Sequence, residues 1–291
     1  MANAPDVEGF FHESTNTAAF LVIDPESRQA AVIDPPLDYD AVSGQLGTAF
    51  VDQILDRAES LGAQVVWAID THVHADHLSA VDHVRKRTGA RVGIGAGIQV
   101  VRQTFGSVFG EDPDADPATV GFDQLFEDGD TEPLGGLVIR AIATPGHTPA
   151  CMTYVIGDAA FVGDTLFMPD FGTARCDFPK GDARTLWRSV HRILDLPPET
   201  RVFVGHDYAP GGREFAWQTS VAEEKANNKH VKDGTTEDTF VTMRTTRDAE
   251  LGLPALIVPS IQVNIRTGRL PDPDSKGVVR LTVPINAFPG T

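Results

Sequence analysis

His72-Val73-His74-Ala75-Asp76-His77 places four metal-ligating side chains within six residues. The apolar run Val65-Val66-Trp67-Ala68-Ile69 precedes it, so the cluster is expected where a buried strand opens into a loop. Imidazoles and a carboxylate at this density are costly in a folded interior unless a cation organises them. The chemistry they predict is that of a bound metal ion.

Three further segments share one pattern of apolar strand, glycine, then ligand-type residue. They are Thr144-Pro145-Gly146-His147-Thr148-Pro149, the run Ala160-Phe161-Val162-Gly163-Asp164-Thr165, and Val204-Gly205-His206-Asp207-Tyr208. Glycine lets the backbone turn sharply, so the following side chain projects from a strand end. Taken singly, His206 reads as a loop histidine and Asp164 as a turn residue. Together, seven ligand-type residues in four such contexts predict strand ends converging on one sheet rim. His12, His83, His191 and His230 lack that context and are not expected to touch metal.

The elements that must position these residues follow from local patterning. Ala18 to Ile23 and Gln29 to Ile33 read as paired strands around the turn Asp24-Pro25-Glu26-Ser27-Arg28. Val51 to Leu61 has helical spacing and stops at Gly62. Strand Val65 to Ile69 leads into the cluster. Helix Leu78 to Arg87, strand Arg91 to Ile94 and helix Ile98 to Phe109 come next, then an acidic, proline-bearing loop over 110–121. Strands are expected at Leu137 to Ala143, Met152 to Ile156, Ala159 to Val162 and Val202 to Val204, with helices at Leu186 to Leu194 and Phe215 to Asn228. Alternating strands and helices predict an α/β architecture of stacked sheet and helix layers. A catalytic domain over 1–215 is expected to carry a C-terminal extension over 216–291. The extension should hold a helix near Glu237 to Leu251, then proline-punctuated irregular segments, and border the site.

Composition narrows the function. The chain has 291 residues, 41% of them hydrophobic and 22% charged, with a formal net charge of −17. That charge argues against a nucleic-acid backbone or an anionic membrane surface as partner. An anionic small substrate would need a local basic patch working against the overall field. Cys151 and Cys176 alone provide no disulfide framework. The start Met1-Ala2-Asn3-Ala4-Pro5-Asp6 lacks signal-peptide patterning, and no apolar run reaches the ~20 residues of a membrane span, so a cytoplasmic location is expected.

His72-x-His74-x-Asp76-His77 followed by His147, Asp164 and His206 resembles the metallo-β-lactamase fold superfamily over most of residues 10–210. That resemblance implies an αββα sandwich with a metal site at one edge between the sheets. Within the superfamily, Thr71 to His77, Gly146-His147-Thr148-Pro149-Ala150-Cys151, Arg175-Cys176-Asp177-Phe178 and His206-Asp207-Tyr208 are similar to persulfide dioxygenases. The run Pro259-Ser260-Ile261-Gln262-Val263-Asn264-Ile265-Arg266 is similar to the longer bacterial branch.

The resemblance implies one Fe(II) per chain, held by His72, His147 and Asp164. Two histidines and one carboxylate on one face leave positions open for a persulfide sulfur and dioxygen. The implied reaction converts glutathione persulfide and O2 to sulfite and glutathione, in a homodimer. His74, Asp76, His77 and His206 would then orient ligands, hold water and balance charge. Tyr208 is a candidate to set a phenol beside dioxygen or substrate. Arg175, Arg244 and Arg266 are candidates for the glutathione carboxylates. The mechanism needs no protein thiol, so Cys176 is not required, and Cys151 reads as packing.

The residues themselves equally permit two metals. That alternative is a binuclear thioester hydrolase of the glyoxalase II type, with Asp164 bridging; Val73 and Pro149-Ala150-Cys151 speak against it. A non-catalytic persulfide sensor is a third reading, and the intact ligand list opposes it.

Overall fold

The computed structural model describes residues 4–112 and 114–287. Met1, Ala2 and Asn3 of the N-terminal stretch, Pro113 of the acidic loop and residues 288–291 of the extension lie outside the described residues.

From the N-terminus run β1 (Asp6–His12), β2 (Thr17–Ile23), β3 (Gln29–Ile33) and the small hairpin of β4 (Asp38–Asp40) and β5 (Gln45–Gly47). Next come α1 (Ala49–Ser60), β6 (Gln64–Ile69), α2 (Val81–Thr88), β7 (Arg91–Gly95), α3 (Ile98–Phe109), the single turn α4 (Pro117–Val120) and β8 (Gln124–Phe126). The second half holds β9 (Thr131–Leu134), β10 (Leu137–Ala143), β11 (Met152–Ile156), β12 (Ala159–Gly163), α5 (Ala183–Leu194) and β13 (Arg201–Val204). It ends with β14 (Gln218–Ser220), α6 (Val221–Asn227), α7 (Glu237–Asp248) and α8 (Ile257–Asn264). One six-stranded sheet has the order β1-β2-β3-β6-β7-β8, the other β14-β13-β12-β11-β10-β9.

Strand β2 shows why the layers number four. All seven of its residues are buried, because both of its faces are covered. Ala18, Phe20 and Val22 join the core between the sheets, with Phe161, Phe203 and Tyr154 from the second sheet. Ala19, Leu21 and Ile23 face outward into a second core, filled by Val51 and Ile54 of α1, Val81 of α2 and Val101 of α3. A third core, between the second sheet and α5, contains Val162, Val202, Leu186, Val190 and Phe240. The result is helices, sheet, sheet, helices: the expected αββα sandwich. Phe20, Phe161 and Phe203 lock its centre with ring centroids 5.0 to 5.4 Å apart. Phe161→Ala there costs about 3–5 kcal/mol.

Several local expectations need correction. Phe215 to Asn228 is not one helix. Residues 218–220 pair with the exposed edge of β13, and the helix begins only at Val221, where the Ser220 side chain accepts the Glu223 N–H. The helix expected from Leu78 starts at Val81, because the Leu78 carbonyl accepts from Leu37 N–H and Ala80 N–H donates to Pro35 O. The segment around Pro259, read as irregular, is helix α8; proline sits in its first turn, where its missing N–H is no loss. No helix among the described residues is long and apolar enough to cross a membrane.

Candidate metal centre

Four strand ends deliver the ligand-type residues. His72 to His77 follow β6, His147 follows β10, Asp164 follows β12 and His206 follows β13. β12 and β13 run parallel and β10 lies two antiparallel steps from β12, so all three open on the same edge. Met152 N–H donates to Thr71 O at 2.8 Å, joining the two sheets beside the cluster. Gly163 has φ +49°, and a Cβ there would come within 2.2 Å of Thr71 Oγ1. Glycine is required at that turn for both conformation and space. Helix α5 braces the His147 turn: Ser189 Oγ donates to Pro145 O at 2.6 Å and Asp182 N–H to Gly146 O at 2.9 Å.

Each imidazole is oriented by what its outer nitrogen bonds. His72 Nδ1 lies 3.0 Å from Thr71 Oγ1, whose own hydroxyl donates to Asp34 Oδ2 at 2.8 Å. His74 Nε2 lies 3.0 Å from Asp34 Oδ1, His147 Nδ1 lies 2.8 Å from Arg175 O, and His206 Nδ1 lies 3.0 Å from Asn16 O. His77 Nδ1 lies 3.3 Å from Asp76 Oδ2. Outer N–H donation leaves the inner nitrogen of each ring with a lone pair, the arrangement a metal-binding histidine needs.

Those inner atoms are orphaned. His72 Nε2, His74 Nδ1, His77 Nε2, His206 Nε2 and Asp164 Oδ1 are buried without a hydrogen-bond partner. Leaving such atoms unsatisfied costs about 1–3 kcal/mol each. A cation resolves them together, so the donor set fits a metal. Burial, with His74 and His147 adjacent, holds His72 well below the ordinary histidine pKa; burial and His77 do the same for His74. Both stay neutral, as ligands must.

The donors divide into two groups. His72, His147 and Asp164 form one, and His74, Asp76, His77 and His206 the other, with all ligand atoms in each within 4.8 Å. Asp164 stands between them: Oδ2 is 3.9 Å from His72 Nε2 and 3.8 Å from His147 Nε2, while Oδ1 is 3.4 Å from His206 Nε2.

A cavity of about 430 Å³ opens over the centre. His147, Asp164 and Asp76 line its floor, and Phe171, Tyr208, Arg175 and Arg244 its walls. The Tyr208 ring packs on Phe171 at 4.7 Å. Arg175 is held by Asp177 and donates to Gly252 O at 2.7 Å. Arg244 is buried against Asp248 at 2.6 Å and donates to Thr173 O at 3.2 Å. Arg266, expected at the substrate, is not among the lining residues; it pairs with Glu111 of the acidic loop. The extension borders the site through Leu251, Pro254, Ala255 and Leu256. Cys176 is buried, and burial, with Asp248 nearby, pushes its thiol up and away from nucleophilic form. Cys151 is buried too, and its sulfur accepts the Thr148 N–H at 3.3 Å in the loop after His147.

Asp34 was missed. It directly follows β3, an apolar strand running straight into a carboxylate, but lacks the glycine that precedes His147, Asp164 and His206. His230 and Arg247 also line the cavity, and nothing in their local sequence marks them.

The Metallo-beta-lactamase superfamily model matches residues 15–206. A probable metallo-hydrolase of Burkholderia pseudomallei is 51% identical over 292 residues, covering 97% of this chain and 99% of that protein. "Glyoxylase B2" of Dictyostelium discoideum is 41% identical over 98% of this chain and 99% of its own length. The human mitochondrial persulfide dioxygenase ETHE1 is 33% identical over 201 residues, 68% of this chain and 66% of that protein. The crystal structure of ETHE1 from Myxococcus xanthus superposes with a TM-score of 0.72 at 31% identity, covering 91% of this chain and all of that one. With its fold, its donor set and these relatives in agreement, the chain belongs to the metallo-β-lactamase superfamily.

Proposed function

We propose that the protein is an iron-dependent persulfide dioxygenase, oxidising the sulfane sulfur of glutathione persulfide to sulfite with release of glutathione. The observation that carries this reading is the group of His72, His147 and Asp164, the last two on the floor of the open cavity and His72 buried behind them, in a chain 31% identical to a solved ETHE1. Two imidazoles and one carboxylate suit Fe(II) and leave positions for substrate and dioxygen. Iron bound there would supply the redox chemistry.

The chain's own residues do the rest. Asp34 fixes which nitrogen His72, through Thr71, and His74, directly, turn inward. Phe167, Phe171 and Tyr208 supply an aromatic wall that keeps bulk water from the sulfur, with the Tyr208 hydroxyl as a donor at the mouth. The Asp76 carboxylate, 3.4 Å from His206 Nε2, holds negative charge next to the reacting group.

Hydrolysis is the second reading, favoured by the complete second donor group and by the relative named "Glyoxylase B2". It takes two metals and a thioester. Oxygen uptake with glutathione persulfide, sulfite release and metal content decide between them. One iron per chain with oxygen consumption supports oxidation; two zincs with rapid cleavage of a lactoyl thioester and no oxygen uptake overturns it.

A further inference from the structure

Two cavities meet at His230 and Arg247. The inner one is the cavity over the metal centre. The outer one, about 840 Å³, is lined by Lys229, Thr242, Thr246, Arg247, Asp238 and Glu250 as well as His230. Arg247 on their shared wall and Lys229 on the outer side place positive charge there in a chain of net charge −17.

Most arginines near the centre are neutralised. Arg213 pairs with Asp170 and Asp207, Arg175 with Asp177, and Arg244 with Asp248. Arg247 differs: among the described residues its guanidinium has neither an ion pair nor a hydrogen bond. The Lys229 ammonium lies 5.0 Å over the Phe171 ring and has no carboxylate within ion-pair distance among the described residues. Partial burial and the nearby Arg247 push that ammonium below its ordinary pKa. Cations left facing one another beside a cavity favour an anion between them.

His230 adds a directional donor. Its Nδ1 accepts the Thr173 N–H at 3.0 Å, which puts the ring proton on Nε2. Burial, with Arg244, Lys229 and Arg247 close by, lowers its pKa to about 3, so the ring is neutral. Its seat is built: Gly172 has φ +104°, and a Cβ there would fall 2.2 Å from His230 Nδ1. The Nε2–H has no partner among the described residues.

We propose that this junction binds the α-amino-acid end of a small peptide thiol, its carboxylate on Arg247, Lys229 and the His230 Nε2–H. Glu250, which has no cationic partner among the described residues, takes the ammonium. The proposal rests on the dioxygenase reading for the sulfur's destination at the metal, but the junction is a binding site in its own right. It makes the enzyme selective for peptide persulfides over short or uncharged ones.

The test is calorimetric titration of the metal-loaded protein with glutathione, and with the analogue lacking the γ-glutamyl ammonium. Arg247→Ala weakens glutathione binding at least tenfold and Lys229→Ala severalfold, while metal content and melting temperature stay unchanged because both side chains are exposed. Raising ionic strength weakens wild-type binding and narrows the gap. The deaminated analogue binds more weakly than glutathione to wild type and equally to Glu250→Ala. Unchanged glutathione affinity in Arg247→Ala overturns the site, whatever the oxygen assay gives. Arg247-dependent glutathione binding without oxygen uptake from glutathione persulfide keeps the site and removes the dioxygenase reading.

Discussion

Asn264 and His74 lie 190 residues apart, yet the Asn264 amide donates to the His74 carbonyl at 2.8 Å. The same Nδ2 donates to His77 O at 2.9 Å, and Oδ1 accepts the Ser79 N–H at 2.8 Å. One buried amide at the end of α8 thus satisfies three backbone groups of the metal-binding loop. A loop rich in exposed-type backbone can be buried only if such groups are paired. The C-terminal extension therefore shapes the centre without contributing a ligand.

Asn264→Ala should lower stability by about 1–3 kcal/mol, the cost of stranding buried polar groups. It should also loosen the geometry of His74 and His77. The check is metal affinity alongside thermal unfolding. Weaker metal binding in protein that remains folded is the expected outcome; wild-type metal affinity would show that the loop holds its shape alone.

Asp34 gives a sharper case. Its carboxylate accepts from Thr71 N–H at 2.7 Å, from Thr71 Oγ1 and from His74 Nε2. Asparagine tolerates the residue's left-handed backbone, φ +51°, but would turn an NH2 toward a group that is itself a donor. Asp34→Asn is expected to keep the fold, lose about 2–3 kcal/mol and reduce metal affinity by 10–100-fold, as loss of a histidine's outer partner does. Competition with a coloured chelator measures this directly.

The two donor groups predict different responses to the same substitution. On the dioxygenase reading, His147→Ala should lose iron and activity together. His206→Ala should keep one iron per chain if the dioxygenase reading holds, since His206 belongs to the other group. In a binuclear hydrolase it would instead lose one of two metals. Elemental analysis of both variants, after loading under identical conditions, separates these outcomes.

The ligand pattern was legible because strand, glycine and ligand residue are neighbours in the chain. So were the buried strands β2, β3, β6 and β12, whose two covered faces write unbroken apolar runs. What stayed hidden depends on distant partners. β1 carries Asp6, Glu8 and a glycine along a partly buried edge, and becomes a strand by pairing with β2 from Asp6↔Ile23 to His12↔Thr17. β8, β9 and β14 are three or four residues long and patternless alone. Asn264 sits in an apolar run where one amide looks incidental, and Arg247 looks like any surface arginine until the fold sets it beside the cavity. Chemistry carried by adjacent residues can be read locally; chemistry assembled across the fold cannot.

Glu224 supplies a prediction away from the metal. It is fully buried on α6, with Oε2 accepting from Asn228 Nδ2 at 2.6 Å and Oε1 without a partner. The Asn228 amide also donates to Gly172 O at 3.2 Å, in the loop that seats His230. Burial raises the Glu224 pKa to about 8, Glu223 and Asp170 adding to it, against an ordinary 4.5. The folded state therefore holds a proton that the unfolded chain has released between those values, so stability falls as pH rises across that window. The slope from this one group approaches about 1.4 kcal/mol per pH unit. Glutamine mimics the protonated acid. Glu224→Gln should unfold with wild type near pH 5 and become the more stable protein by pH 8, the gap widening steadily between. Denaturant titrations at four pH values test this, and a gap that does not change with pH would mean that Glu224 is ionised in the fold.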